Sequence, residues 1–284
     1  MMRIAAIDVG SNSIHMIVAE ARPDGHFIVL DRAKEMVRLG EKSLTTGRLR
    51  KSAMDRGIRA LKTFKSIADR HGVTRIRAVA TSAVREAGNG GEFIQRIFDE
   101  IGLRVRVIHG REEARLIHLG VAQVEDLDGP PTLLLDIGGG SVEIVIAEKA
   151  RAPELHSLKL GVARITEEFL SGDPPRAKEV ARLEEFLRAA LEPALATAAK
   201  RKVKRVIGTS GTALTLISMA AHRLGVHPGS QIHGLQVPAE AVSRLRRASR
   251  VRDREGRLAM RGMDPKRVDL ITAGRFSPTS SCAG

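Results

Sequence analysis

The sequence predicts an α/β protein made of two halves, each a mixed β-sheet flanked by helices, and three observations carry that reading. A buried strand, an Asp-x-Gly turn rich in hydroxyls and a second strand occupy 3–20 and recur at 132–147, an offset of 128 residues. Strand-like apolar runs elsewhere alternate with segments of helical period. The stretch Glu125-Asp126-Leu127-Asp128-Gly129-Pro130-Pro131 breaks the chain between the two copies and sets the expected domains at 1–125 and 126–274.

The elements follow in order. Residues 3–9 are apolar enough for a buried strand, and Gly10-Ser11-Asn12-Ser13 turns them into a second strand at 14–20, so the pair reads as a hairpin. Over 47–71, Leu49, Ala53, Ile58, Leu61, Phe64 and Ile67 recur at helical spacing, and Gly72 supplies a C-terminal stop. A strand at 75–80, a cap at Thr81-Ser82, a helix at 91–101, a strand at 103–108 and a helix at 111–124 complete the first half. The second hairpin, 132–137 and 142–147, leads to a strand at 152–160, a helix at 162–170 and a break at 171–175. A long amphipathic helix at 176–200 follows, and a short strand at 203–207 then feeds Gly208-Thr209-Ser210-Gly211-Thr212, which opens an apolar helix.

Composition narrows the function. With 43% hydrophobic and 28% charged residues among 284, the chain can fill two modest cores, which excludes a disordered protein. No run approaches ~18 apolar residues, and Met1-Met2-Arg3-Ile4 leads straight into a strand, so neither a membrane span nor a signal peptide is expected and the chain reads as cytoplasmic. Cys282 is the single cysteine, which rules out an internal disulfide and a cysteine-rich metal site. The net charge of +14 divides into +8 over 1–120, −5 over 121–200 and +11 over 201–284. Such an excess points to a polyanionic partner. Seven Phe and no Trp or Tyr leave few stacking platforms, and no zinc-finger or RNP-type motif occurs, so no specific nucleic acid is expected.

A carboxylate at the end of a buried strand, followed by a turn of glycines and serines, offers two things to a phosphate. Glycine lets backbone N–H groups approach the oxyanion, and the carboxylate can hold a hydrated divalent cation. Asp8 with Gly10, Ser11, Asn12 and Ser13 makes one such turn, and Asp136 with Gly138, Gly139, Gly140 and Ser141 makes the other. Three consecutive glycines cost backbone entropy on folding, which favours a close ligand contact there. No Walker A sequence is present, and no Gly-x-Gly-x-x-Gly follows a strand, so the phosphate site is of another kind. Glu112 and Glu113 read equally as first-turn acids favoured by the helix dipole. Glu113 shares a face with Ile117 and Gly120 and can point inward. Arg85, just past Ala83-Val84, offers a planar charged fork for phosphate oxygens. His15 and His109 lack partners at metal spacing and read as packing or polar-edge residues.

Five segments together carry a resemblance. Ile7-Asp8-Val9-Gly10-Ser11-Asn12-Ser13, Ala80-Thr81-Ser82-Ala83-Val84-Arg85, Gly110-Arg111-Glu112-Glu113-Ala114, Asp136-Ile137-Gly138-Gly139-Gly140-Ser141-Val142-Glu143 and Gly208-Thr209-Ser210-Gly211-Thr212 resemble, in order, the exopolyphosphatase and guanosine pentaphosphate phosphatase (Ppx/GppA) family over nearly the whole chain. The resemblance implies two RNase H-like domains of the actin-like ATPase (ASKHA) superfold, with the active site in an interdomain cleft. It implies a hydrolase that releases terminal phosphate from inorganic polyphosphate, from guanosine pentaphosphate (pppGpp), or from both. Glu113 matches the general base and Arg85 the arginine that binds the reacting phosphate. Asp136 and Glu143 match Mg²⁺-associated carboxylates, with Asp8 facing them; Mn²⁺ is an alternative ion. Gly208, Thr209, Ser210, Gly211 and Thr212 match a loop for nucleotide or phosphate chain. A homodimer is plausible on the same grounds.

The chain also departs from the family. Nothing encodes the extra C-terminal helical domain of larger members, so this is read as the short, two-domain form. Pro265 to Gly274 fits the pattern, whereas 275–284 has a turn-like composition with Pro278 and is expected to be a disordered tail. The basic residues of 201–205 with Arg244, Arg246, Arg247, Arg250, Arg252 and Arg254 could extend a positive track for a long polyphosphate. Two other readings remain open: a phosphotransferase (kinase) of the same superfold, and a non-catalytic regulator that binds polyphosphate or alarmone.

Overall fold

The computed structural model describes residues 2–149, 151–229, 232–248 and 252–274. The expected disordered tail, 275–284, lies outside them. The chain separates into two compact units, Met1–Gly110 and Arg111–Gly284.

The first unit holds β1 (Met2–Val9), β2 (Ile14–Ala21), β3 (Phe27–Glu35), α1 (Ser43–Thr46), α2 (Lys51–Arg70), β4 (Arg75–Ala80), α3 (Ser82–Glu86), α4 (Gly90–Ile101) and β5 (Val105–Val107). Its sheet runs β3-β2-β1-β4-β5, antiparallel across the first three strands and parallel from β1 to β4 to β5. Period-two alternation buries Ala5, Ile7 and Val9 on one face of β1 and leaves Ala6 and Asp8 exposed on the other. The stripe Ile58, Leu61 and Phe64 buries the inner face of α2. Strand β3 has no counterpart among the expected elements, because none of its residues is buried and an edge strand of that kind lacks the alternation that marks a strand in sequence.

The second unit begins with α5 (Gly110–Ala122) and continues through β6 (Thr132–Ile137), β7 (Val142–Glu148), β8 (Arg151–Leu158), α6 (Val162–Phe169), α7 (Ala177–Lys200), β9 (Arg205–Thr209), α8 (Ser210–Arg223), α9 (Ala239–Ala248), α10 (Arg254–Leu258), a 3₁₀ turn (Pro265–Arg267) and α11 (Ile271–Gly274). Its sheet, β8-β7-β6-β9, repeats the first: three antiparallel strands and then a parallel one. The duplicated α/β architecture is therefore present in both halves. The run Leu133-Leu134-Leu135 is apolar throughout because both faces of β6 are covered. Leu133, Leu135, Ile137, Ile144 and Ile146 share one core with Leu160, Ile165, Leu183, Leu187 and Leu216. Leu134, Val145 and Ala147 share another with Ala114 and Val121 of α5. That second core explains why the units divide after Gly110, whereas the sequence placed the boundary at 125: α5 is packed on the second sheet. Among the described residues, no helix is long and apolar enough to cross a membrane.

Candidate active site

In the second unit the site grows from strand alternation. Asp136 falls on the face of Leu134, and Glu143 on the face of Val145 and Ala147, so both carboxylates emerge on the α5 side. They are direct cross-strand partners. Glu113, in the first turn of α5, lies near enough for its charge to oppose ionisation of Glu143. Glu143 is only 2% exposed. Burial pushes its carboxyl well above the ordinary glutamate range, the charges of Glu113 and Asp136 push the same way, and hydrogen bonds from Ser157, at 2.8 Å, and Ser141 pull against them. Burial also raises Asp136, opposed by the Thr209 hydroxyl at 2.6 Å and by the charge of Arg267.

The turn between these carboxylates is held by α6. The N–H groups of Val162 and Ala163 donate to the carbonyls of Gly138 and Gly139 at 2.9 Å, and Arg164 Nε donates to the carbonyl of Gly140 at 3.1 Å. A trans peptide points its N–H opposite to its C=O, and no cis bond occurs in this turn. The N–H groups of Gly139, Gly140 and Ser141 are thus turned away from α6, as an anion cradle needs. Gly161 lets α6 come this close, since a Cβ there would overlap the backbone of Gly139 and Gly140.

The segment 208–212 joins the same group. Besides the Thr209 bond to Asp136, the Ser210 hydroxyl donates to the carbonyl of Ile137 at 2.8 Å, with Ser210 itself in the left-handed region at φ 71°. Arg267, from the 3₁₀ turn, is buried over Gly211 and donates to the Thr212 hydroxyl at 3.3 Å. Burial lowers its pKa while Asp264 and Asp136 oppose the change. Sequence reasoning missed Arg267, Gly161, Arg164 and Ser157. Periodicity shows none of them, and the one available signal was Asp264-Pro265 as a capped turn start.

In the first unit, Gly10-Ser11-Asn12-Ser13 lies between β1 and β2. Its backbone is fixed by bonds from Arg38 N–H to the Asn12 carbonyl, at 2.8 Å, and from Gly40 N–H to the Ser11 carbonyl, at 2.7 Å. The Ser11 hydroxyl accepts from Ala83 N–H at 3.1 Å, which ties the turn to α3, the helix that carries Arg85. Arg85 donates to the carbonyl of Ile108 at 2.9 Å. Asn12 Nδ2 is buried and has no hydrogen-bond partner, a donor set for an acceptor the protein does not supply. Asp8 is exposed on the open face of its sheet. His15, read from sequence as a packing or polar-edge residue, bonds the Ser13 hydroxyl through Nε2 at 2.7 Å.

Among the described residues, no group of three His, Cys or carboxylate side chains is placed to hold a metal ion by itself. Asp136 and Glu143 nonetheless offer hard oxygen donors where buried negative charge is in excess, which suits Mg²⁺, an ion that takes one or two carboxylates and completes its shell with water and phosphate oxygens.

A model of the Ppx/GppA phosphatase family matches residues 17–276. Exopolyphosphatase 2 of Mycobacterium tuberculosis is 33% identical over 284 residues, covering 96% of this chain and 88% of that protein. Exopolyphosphatase 1 of Mycobacterium leprae is 31% identical and covers 99% and 82%. Among solved structures, an exopolyphosphatase from Cytophaga hutchinsonii superposes with a TM-score of 0.84 at 31% identity, over 97% of this chain and 88% of that one. The Aquifex aeolicus Ppx/GppA family member gives 0.78 at 32%, over 99% and 89%.

Proposed function

The chain belongs to the Ppx/GppA phosphatase family, and from that premise we propose that it is a hydrolase releasing the terminal phosphate of inorganic polyphosphate, with the 5′-phosphate of pppGpp as a second substrate of the same chemistry. The observation that carries this reading is the convergence of Glu113, Asp136 and Glu143 beside a glycine turn whose N–H groups face away from its supporting helix. Phosphoryl transfer asks little covalent chemistry of a protein; it asks for position and for neutralised charge. Glu113 takes the proton of the attacking water. The water oxygen bonds the terminal phosphorus, the bridging P–O bond breaks, and its electron pair leaves on the shortened chain. The N–H groups of the 138–141 turn bind phosphate oxygens in the second unit, and in the first unit Arg85 with the N–H groups and hydroxyls of the 10–13 turn offers donors of the same kind. Asp136 and Glu143 would hold Mg²⁺, which when bound supplies charge neutralisation at those oxygens.

The test is phosphate release from long-chain polyphosphate and from pppGpp in parallel, with added Mg²⁺, for wild type and Glu113→Gln. Loss of a general base should cut kcat by ~10²- to 10⁴-fold with KM nearly unchanged. The ratio of the two wild-type rates ranks the substrates. Tight binding of both without release by the wild type would instead establish a polyanion-binding regulator.

A further inference from the structure

The two hairpins share one scaffold and differ in one chemical respect. At the constant offset of 128, Asp8 matches Asp136, Gly10 matches Gly138, Ser13 matches Ser141 and His15 matches Glu143. The match is geometric as well. Asp8 pairs across the strands with His15, and Asp136 with Glu143. A Cβ added to Gly10 or to Gly138 would stand 2.9 Å from the carbonyl oxygen of the serine three residues on. In both turns that serine hydroxyl bonds the side chain two residues later.

The consequence for the hydroxyl proton is opposite in the two turns. In the second turn the Ser141 hydroxyl donates to the Glu143 carboxyl, so that bond consumes the proton of Ser141. An imidazole Nε2–H can donate to Ser13 Oγ, which leaves the Ser13 proton available to an outside acceptor. Asn12 Nδ2 in the same turn is a buried donor without a partner, so the Ser13 hydroxyl and Asn12 can serve one outside acceptor, with Asp8 and Lys34 on either side of His15 across the strands. Beside Asp8 the first turn thus gains a hydroxyl donor for an anion, whereas its twin commits the matching hydroxyl to a carboxylate.

We propose that His15 is a positioning residue that directs the Ser13 hydroxyl proton to a substrate phosphate oxygen, so that histidine in place of glutamate gives the first turn a hydroxyl donor that its twin lacks. The inference rests on the reading of Ser13 as a phosphate contact. It is tested by a double-mutant cycle on full-length protein, with long-chain polyphosphate as substrate and as equilibrium ligand. His15→Ala and Ser13→Ala each raise KM and weaken binding by about 3- to 10-fold, the range of one neutral hydrogen bond, with kcat little changed. The double variant is no worse than either single one, because both remove the same contact. His15→Gln, which keeps a donor at similar reach, restores most of the binding. Effects that multiply in the double variant overturn the proposal while leaving the phosphate-contact reading intact, and so does a His15→Ala protein that melts lower but binds normally. A silent Ser13→Ala overturns the phosphate-contact reading and the proposal with it.

Discussion

Glu143 concentrates the conflict between stability and function in a single side chain. Its folded pKa lies above its unfolded one, chiefly from burial and next from the Glu113 and Asp136 charges, so the folded state binds this proton more tightly than the unfolded state. The stability this provides is present below the ordinary glutamate pKa and is lost as pH rises through the elevated folded value. Glutamine mimics the protonated form and can still accept from Ser157. Glu143→Gln should therefore unfold at a higher temperature than wild type at pH 8, and the gap should shrink towards pH 4, as scanning calorimetry at the two pH values would register. Phosphate release should fall at the same time, the trade-off expected where a site stores like charges. Added Mg²⁺ should raise the melting temperature of wild type more than that of Glu143→Gln; equal shifts would remove Glu143 from the cation site. Asp136 was legible in sequence because it stands at the end of a strand beside a glycine turn, and Glu143, at the start of the next strand, only through the family resemblance. Arg267 and Ser157 were not, since nothing local marks a residue brought in by a sheet register or by a turn more than 50 residues away.

Among the elements, α6 does more than pack. Its first N–H groups, which a helix must satisfy outside itself, end on the carbonyls of the 138–140 turn, so one set of bonds caps the helix and orients the loop. Gly161→Ala forces a Cβ into the backbone of Gly139 and Gly140, and loop and helix must separate. Phosphate release should fall by at least ~10-fold, since misplacement of about 1 Å at a preorganised site costs on that order or more. Gly120→Ala serves as the control. A Cβ on Gly120 meets nothing within 4 Å and alanine favours the helix, so activity should hold and stability should match or exceed that of wild type. Equal activity of the two variants would show that α6 does not orient the turn. The sequence located α6 but gave no sign of this role, because the contact joins two segments through backbone N–H groups and the single side chain of Arg164, which leave no repeating pattern. The strand β9 illustrates the complementary limit: it runs from Arg205 to Thr209, two residues later than its apolar run suggested, because the bond from Thr209 to Asp136 extends the pairing beyond the apolar residues.

Over the whole molecule the net charge of +14 is the property a polyanionic substrate meets first, yet not all of it is available. Arg201 is shared between Glu148 and Glu154 at 3.2 Å each, Arg205 pairs with Glu125, and Arg254 pairs with Asp269 at 3.1 Å. The positive track expected from composition is thus partly neutralised along 201–205, while the side chains of Arg246, Arg247 and Arg250 lie outside the described residues. What remains is a diffuse positive potential together with a few local donors, and the two respond differently to salt. Local hydrogen bonds in a turn are little screened, whereas each neutralised phosphate of a long chain contributes to a salt slope. With about two to three phosphates neutralised, affinity for long-chain polyphosphate should drop about tenfold between roughly 50 and 200 mM salt, and affinity for pyrophosphate should drop less. Arg201→Gln should leave the slope unchanged, because its charge is already matched by two carboxylates. A slope that flattens in Arg201→Gln would mean that the long chain displaces Glu148 and Glu154 from this arginine, and the track would then begin beside β7 and the edge strand β8.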